Sequence, residues 1–576
     1  MAEKTKGNQE KGGRASSSSS SSSRESIFIR NATGLVREVS LFDAFVFNLA
    51  ANPIGLALVF ILGFQIGLFP GANPIVAMIL VAVVALFIAA TYALFSAAFP
   101  RSGGDYVFNS RVLHPAVGFG FNLSLSFWEW LTASLSLSFI TTLGLSPVTV
   151  MIGYFAKTPS LVNLGIALSN PIDVLVIGTI FNAIISSLFL VGTKRTIRFI
   201  NGFYIASFAG LVLIVIALLA SSPALFQNNL NNFLHQIGSN QTYSGIIATA
   251  RSGGMTLPSS ISSKEGLALL PAMMGVVSIE AIWFFWSSYI GGEVKRASSL
   301  RRQLVSMLGS AAFNAVVTLI AIVLYLSVMG KDFITSFSYL LSFAPSAVPF
   351  SPATVSGDQI VVFASLATNN SILAILIPLL FIGWSIVVVV DFAMQPVRSV
   401  FAWSMDRVIP ARFARVSERF HAPVYPVLLG AAIMEAGLVA QVLIPSAVFL
   451  IFTASIAAPA FSSMFLTGVS GVILPFRGRR NKTSINSLYS TSGLGKYRVG
   501  RVPIISITGG VTAGYIIFLL IVFFSYGNFG LQSPLLGFLA LGLNLVGIAI
   551  YFLSREFRRR REGIDIGMAF SEIPPE

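Results

Sequence analysis

The chain has no cysteine. Disulfides, thiolate metal sites and thiol nucleophiles are therefore excluded. Histidine is almost as scarce, with three in 576 residues, which argues against a histidine-rich metal centre. Charge is thin as well. Asp, Glu, Lys and Arg make up 10% of the residues, against about a quarter in ordinary soluble domains. A soluble enzyme does not fit that composition. No Gly-rich phosphate loop runs into Lys and Ser or Thr, which disfavours an ATP-driven pump. No hydrophilic stretch is long enough for a receptor head. With no clustered carboxylates to face one another, a membrane enzyme is disfavoured too.

What the chain has in abundance is apolar length. Hydrophobic residues make up 55%, and the mean hydropathy is +0.81. Apolar runs near 20 residues recur, the length that crosses a bilayer as a helix; a barrel would show shorter alternating segments. Twelve segments are expected, over 41–69, 74–99, 116–155, 171–192, 199–220, 266–290, 303–329, 369–402, 424–443, 446–475, 503–526 and 532–553. The third exceeds one crossing and should contain extra turns around Pro147. Residues 1–38, with an unbroken Ser16–Ser23 run, read as a disordered cytoplasmic tail. The segments 221–265 and 330–368 read as external lids or connectors.

The net charge of +15 raises nucleic acid as a partner, but the placement of the charges favours a membrane surface. With the N-terminus inside, 33 of the 37 Lys and Arg fall on cytoplasmic segments, leaving only Lys157, Arg251, Lys264 and Lys331 outside. One helix more or fewer in the middle would destroy this asymmetry. Twelve spans with both termini in the cytoplasm, in the plasma membrane, are expected. The Arg558–Arg561 run then faces anionic lipid.

Two spans should be interrupted. The first holds Ala50, Ala51, Asn52, Pro53, Ile54, Gly55 and Leu56. Pro53 has no amide hydrogen and its ring crowds the preceding turn. A break there either shapes packing or leaves backbone groups to bind something. The amides around Ile54–Leu56, at a positive helix end, suit a carboxylate. The sixth span holds Ser278, Ile279, Glu280 and Ala281, then Trp283, Phe284, Phe285 and Trp286. The carbonyls near Ala50, Ala51 and Ser278–Ala281 suit an ammonium group. Trp283, Phe284 and Trp286 are candidates for an aromatic gate, with ordinary helix packing as the plainer reading. Breaks at corresponding positions of two halves are the sequence mark of a transporter site.

Acids inside spans are costly and point to function. Glu129 shares a helical face with Asn122, Ser126, Thr132, Ala133 and Ser136, and reads as a cavity-lining proton carrier or a packed polar group. Glu280 is the best candidate for an amine contact or a titrating proton carrier. Asp391, Gln395 and Arg398 fall on one face of the eighth span, with Asp391 and Arg398 expected as a structural ion pair. Asp43 reads as a gate or helix cap. Glu435 has no evident partner.

Further motifs resemble a known family. Phe99-Pro100-Arg101-Ser102-Gly103-Gly104-Asp105-Tyr106 is similar to the Pro-Arg-Ser-Gly-Gly-x-Tyr signature of permeases of the amino acid–polyamine–organocation (APC) superfamily. Arg398, Asp406 and Pro410 match its Arg/Asp/Pro spacing, Pro423 and Pro426 its ninth span, and Glu293 with Lys295 its Glu-x-Lys. Asn52-Pro53-Ile54-Gly55 departs from the usual Gly-x-Gly at the first break. The resemblance implies an all-α membrane protein of twelve transmembrane helices, a LeuT-like 5+5 inverted repeat plus two extra helices. The halves would be 39–220 and 266–475, joined by the external loop 221–265. The basic cytoplasmic loop 476–502, helices eleven and twelve in 503–553 and a cytoplasmic tail over 554–576 would follow. It implies secondary active transport of amino acids by alternating access. From the residues themselves, Arg101 and Asp105 can pair at the inner mouth, as loop closure or as a gate. An exchanger, a carrier of polyamines or other amines, and a membrane sensor or channel remain alternatives. No cofactor or metal is expected, and the coupling ion, H+ or Na+, stays open. In some proton-coupled relatives a Lys of the fifth span replaces sodium, but 199–220 has none; Ser385 is the evident hydroxyl for sodium in the eighth span. The partners expected are an amino acid or amine substrate and lipid, with no nucleic acid and no assigned oligomeric state.

Overall fold

A computed structural model describes residues 37–258, 263–348, 359–417, 422–444, 459–477, 489 and 492–571. Nearly all of the expected N-terminal tail, part of the tenth segment and much of the basic loop 476–502 lie outside the described residues. Helix accounts for almost everything else. The first half runs α1 Leu41–Ala50, α2 Ile54–Leu58, α3 Pro74–Ala98, α4 Asp105–Val112, α5 Pro115–Phe139, α6 Ser146–Phe155, α7 Pro159–Ala167, α8 Pro171–Leu190 and α9 Thr193–Leu219. Then come α10 Pro223–Gln236, α11 Tyr243–Ser252, α12 Lys264–Ala268, α13 Leu270–Ala281, α14 Leu300–Met329, α15 Lys331–Phe343 and α16 Gln359–Leu366. Last are α17 Ser371–Met405, α18 Val424–Leu443, α19 Phe461–Arg477, α20 Ile504–Ser525 and α21 Pro534–Glu562. One short hairpin, β1 Arg498–Val499 against β2 Val502–Pro503, precedes α20.

The helix starts are written in the sequence. Proline opens α3, α5, α8, α10 and α21, where its missing amide hydrogen costs nothing. Asn73 caps α3 by accepting the Ile75 and Val76 amides. At α1, Ser40 and Asp43 form a reciprocal capping box, and Asn201 of α9 also donates to Asp43 at 2.7 Å. Asp43 is therefore a cap, one of the two roles expected of it.

Ten helices among the described residues are long and apolar enough to cross a membrane, taking the interrupted stretch Leu41–Leu68 as one. Their outer surfaces carry apolar stripes. Ile172, Val176, Ile180 and Ile184 recur every four residues along α8 and are all exposed. A surface like this is stable in lipid and not in water. The chain is a multi-pass, all-α membrane protein. Two of the twelve expected segments fall short of that length. The sixth stops at Ala281, and only Phe461–Arg477 of the tenth is described.

The third segment is one helical stretch from Pro115 to Phe155, with a wide π-helical section at Ile140–Leu145 just ahead of Pro147. The segments 221–265 and 330–368 are more ordered than connectors. They fold as α10, α11, α15 and α16 around an aromatic cluster in which Tyr243 stacks on Phe333 at 4.6 Å and Phe226 and Phe363 close in on the same ring. Residues 259–262 and 349–358 of these segments are outside the described set. Glu435 acquires partners as well. Thr179 and Asn182 of α8 donate to its carboxylate at 2.6 and 2.8 Å, joining α8 to α18.

Candidate functional site

The first span breaks at Asn52 and Pro53, between α1 and α2. Because α2 starts at Ile54, the amides of Ile54, Gly55 and Leu56 have no carbonyl one turn back within their own helix. The sixth span breaks without proline. Helix α13 ends at Ala281, and a short 3-10 turn follows at Trp286–Ser288. Side chains from the first span hold this second break open. Asn52 accepts the Trp283 amide at 3.1 Å, and Asn48, one turn earlier, accepts the Ser287 amide at 2.8 Å. Asn314 of α14 donates to the Asn52 main-chain oxygen at 2.8 Å, and Asn48 donates to Ser306 at 2.9 Å. Asn52 was expected in the binding site. Its amide group is instead committed to tying the two breaks together.

A cavity lies beside this joint. It has about 50 Å³ of room, enough for a few waters. Ala51, Leu56, Ile279, Glu280 and Glu129 line it, as do Trp283 and Trp286. Residues expected as substrate contacts, as a gate and as a proton carrier, from three spans, thus line one cavity. The other expected contacts point elsewhere. Ala50, Ile54 and Ala281 are buried in packing. Gly55 meets Trp384 so closely that an added Cβ would fall 2.3 Å from the indole, so its role is close approach. Ser278 bonds Tyr515 at 2.7 Å, on the side of α20. Phe284 is buried off the cavity, whereas Phe285 stacks on Tyr92 at 3.7 Å. The Ile279 carbonyl already receives the Trp283 indole N–H at 2.5 Å, so Trp283 caps the helix it was expected to gate.

Charge in the cavity is one-sided. Among the described residues, Glu129 and Glu280 are its only ionisable lining groups, and neither is bonded to another described residue. Two hydroxyls of the same stripe, Thr132 and Ser136, donate to Trp128 and Thr132 carbonyls of their own helix. Their lone pairs are left for the cavity. Apolar walls complete it, among them Phe60, Phe139 and Phe392. These were not foreseen, since nothing distinguishes them from other aromatics of the spans. Among the described residues no three His, Asp or Glu side chains gather in a metal-binding group.

Two expected pairs do not form. Arg398 does not reach Asp391. Seven residues along a helix share a face but are about 10.5 Å apart in height. Arg398 instead pairs with Glu293, nitrogen to oxygen 2.7 Å, and donates to Thr193 at 2.6 Å. Both Asp391 oxygens are buried and have no hydrogen-bond partner among the described residues, as is true of the Ser385 hydroxyl. Asp105 is not held by Arg101. Asn122 and Tyr289 each donate to it at 2.9 Å, and Ser463 donates to its other oxygen. Burial pushes the Asp105 carboxyl above its usual range, and those donors pull it back. Arg101 donates to the Pro100 carbonyl at 3.1 Å.

The signature loop does its work through backbone. Gly103 and Gly104 have φ of +110° and +51°, open to glycine and strained for other residues. This turn lets Ser102 pair with Ile290, Gly103 donate to Tyr289, and Gly292 donate to the Ser102 hydroxyl. Asp406, from the Arg/Asp/Pro motif, takes Arg111 at 2.7 Å and the Tyr106 hydroxyl at 2.8 Å. The motifs noted in sequence thus meet one another: the loop after α3 seals against the chain just past the α13 break.

A chamber enclosed within an apolar bundle, between helices that break beside it, places the molecule in the class of membrane permeases, where a solute pauses between two sides. The model of the amino acid permease family matches residues 39–546, and the chain belongs to that family. No curated protein matches it.

Proposed function

We propose that the protein carries an amino acid or related amine across the plasma membrane by alternating access, as a secondary active transporter driven by protons. The observation that carries this reading is the cavity itself: two carboxylates, Glu129 and Glu280, face it with no basic partner. A substrate ammonium would approach Glu280 and the carbonyls of Ser278, Glu280 and Ala281. A substrate carboxylate would meet the α2 amides at Ile54–Leu56. Whichever carboxylate the substrate leaves free carries the proton. Trp283 and Trp286 line the cavity and are the side chains that would shift for entry or release. The two facing states must bind substrate with similar strength, or it would not leave.

Further observations support twelve crossings in a five-plus-five repeat. The interrupted helices are the first and sixth segments, at corresponding places in the two halves. The connecting segments also sort into two groups. Those near 39, 102, 193, 293, 408 and 555 bond among themselves. Those near 68, 154, 229, 236, 268, 366 and 528 do likewise. The first group holds most of the Lys and Arg and is assigned to the cytoplasm together with both termini.

The test is uptake by proteoliposomes of a panel of labelled amino acids, with and without an inward proton gradient. Accumulation that collapses with the pH difference is expected. Glu129→Gln and Glu280→Gln should lose accumulation while one of them keeps exchange of preloaded substrate. Gradient-driven uptake unaffected by both substitutions would refute the assignment of the carboxylates. Exchange without net accumulation in the natural chain would make it an exchanger. The lack of a basic group favours one further reading, a cationic amine as substrate, which the same panel detects.

A further inference from the structure

The segment that follows the last long helix folds back onto the molecule. Gly563, at φ +66°, ends α21, and a 3-10 turn at Ile566–Ser571 follows. Arg555 of α21 grips Asp565 with two hydrogen bonds, at 2.8 and 2.9 Å, and Asp565 also accepts the Gly567 amide. This aims Ile566, Ala569 and Phe570 inward, where all three are buried, while Met568 points out, 69% exposed. Phe570 fills a socket of defined chemistry. The Arg111 guanidinium lies 4.8 Å from its ring centre, and the Tyr106 and Tyr551 rings stand edge-on at 6.4 and 6.0 Å.

The socket is not a neutral part of the surface. Tyr106 and Arg111 belong to α4 and hold Asp406 from the end of α17 in a buried ion pair. Helix α4 begins with Asp105, which is bonded to Tyr289, and follows the glycine turn that seals against 289–292. A strand of contacts therefore runs from Phe570 through α4 to the chain just beyond the α13 break. Residues 563–571 lie outside the 39–546 match, so this contact is an addition to the part of the chain that the family model describes.

We infer that residues 563–571 form a latch, in which Phe570 docked on the Tyr106–Arg111–Asp406 cluster holds the seal between 101–104 and 289–292 shut and sets how readily that end of the chamber opens. The inference rests on the alternating-access reading for which end moves. Its geometry can be tested without any substrate.

The natural absence of cysteine makes the test direct. Single cysteines are placed in the full chain at Ala569, Met568 and Ser102, and maleimide labelling rates are compared in membranes. Ala569→Cys should label at least about tenfold slower than Met568→Cys, the scale expected for a segment anchored by a buried aromatic. Phe570→Ala should bring Ala569→Cys to the rate of Met568→Cys, and should speed labelling of Ser102→Cys, which is 3% exposed at the seal, by a similar factor. Asp565→Asn, a milder change that loosens the Arg555 grip, should move both rates the same way if Phe570→Ala fails to fold. Equal labelling at 568 and 569 in the natural background would overturn the docking. Exposure of 569 with Ser102→Cys still protected would overturn the latch and leave a structural staple. Where uptake is measurable, Phe570→Ala should raise the maximal rate several-fold with KM little changed. If no panel substrate is transported, the transport reading fails alone, because the labelling outcomes stand by themselves.

Discussion

Asn52→Ala deletes the acceptor that receives the Trp283 amide at 3.1 Å. Trp283 is 6% exposed, so the amide has little water to turn to. A buried donor left unsatisfied costs about 1–3 kcal/mol. The Asn314 bond goes to the Asn52 main-chain oxygen and survives the truncation. The loss is thus the acceptor of the Trp283 amide together with a long 3.4 Å bond from the Asn52 side chain to the Asn48 carbonyl, and at about 2 °C per kcal/mol, the figure for larger domains, the thermal midpoint in detergent should fall by roughly 2–6 °C. Asn48→Ala strips the Ser287 amide in the same way and also frees Ser306. Asn48 and Asn52 are one turn apart, bonded to each other and hold the same segment, so the double variant should depart from the sum of the single shifts. Uptake should suffer more than stability, because these bonds fix the spacing between Glu280 and the α2 amides. A midpoint for Asn52→Ala within about 1 °C of the natural chain would show that the Trp283 amide is satisfied otherwise, and would refute the joint.

Arg398→Ala leaves Glu293, 1% exposed, as an unpaired buried charge. It should cost about 3–5 kcal/mol, read as lost monomeric yield on gel filtration; replacing Glu293 by Leu as well should recover part of it. Gly55→Ala drives a Cβ to 2.3 Å from Trp384. It should destabilise by about 1–3 kcal/mol and be relieved by Trp384→Phe, with wild-type stability of the single variant counting against so close an approach. The Arg555 hydrogen bonds hold the Asp565 carboxyl below its usual value of 3.8. A lowered carboxyl contributes stability above its unfolded value and loses it as pH falls through the folded one. Docking of 563–571, followed by a dye on Met568→Cys, should be flat from about pH 8 to 5 and loosen only below about pH 4; release between pH 7 and 5 would contradict the Arg555–Asp565 grip.

The parts of the site legible in the sequence are those encoded locally. Pro53 announces the first break because proline cannot continue a helix. The Glu129 stripe is correct as a face because helical periodicity assigns faces. What periodicity does not assign is the neighbour. Arg398 and Asp391 share a face, but the partner that meets Arg398 is Glu293, 105 residues away along the chain. Glu435 looked solitary because Thr179 and Asn182 lie in another span. Asn48 and Asn52, spaced four apart in an apolar helix, were a signal. Whether such a pair binds a ligand or another helix depends on what packs against it, and here it is the broken α13 segment. The break in that helix could be placed near Glu280. Which aromatics turn to the cavity could not, because only the path of the unwound chain sends Trp283 and Trp286 to it and Phe284 and Phe285 away.

The first and third spans each contain a wide π-helical stretch, Val59–Gln65 and Ile140–Leu145. Both lie by the cavity, where Phe60 of the first stretch and Phe139, the residue just ahead of the second, approach to 5.5 Å. A π stretch is an α-helix that has absorbed one additional residue locally, with the flanking turns keeping their facing. Elsewhere in the spans, loss of a residue would rotate everything beyond it by about 100° and carry lipid-facing side chains into the core. At these two places a one-residue deletion returns the stretch to regular α-helix and leaves both flanks in register. The chain can therefore change length beside the cavity, reshaping the wall between Phe60 and Phe139, without re-aiming the rest of either helix.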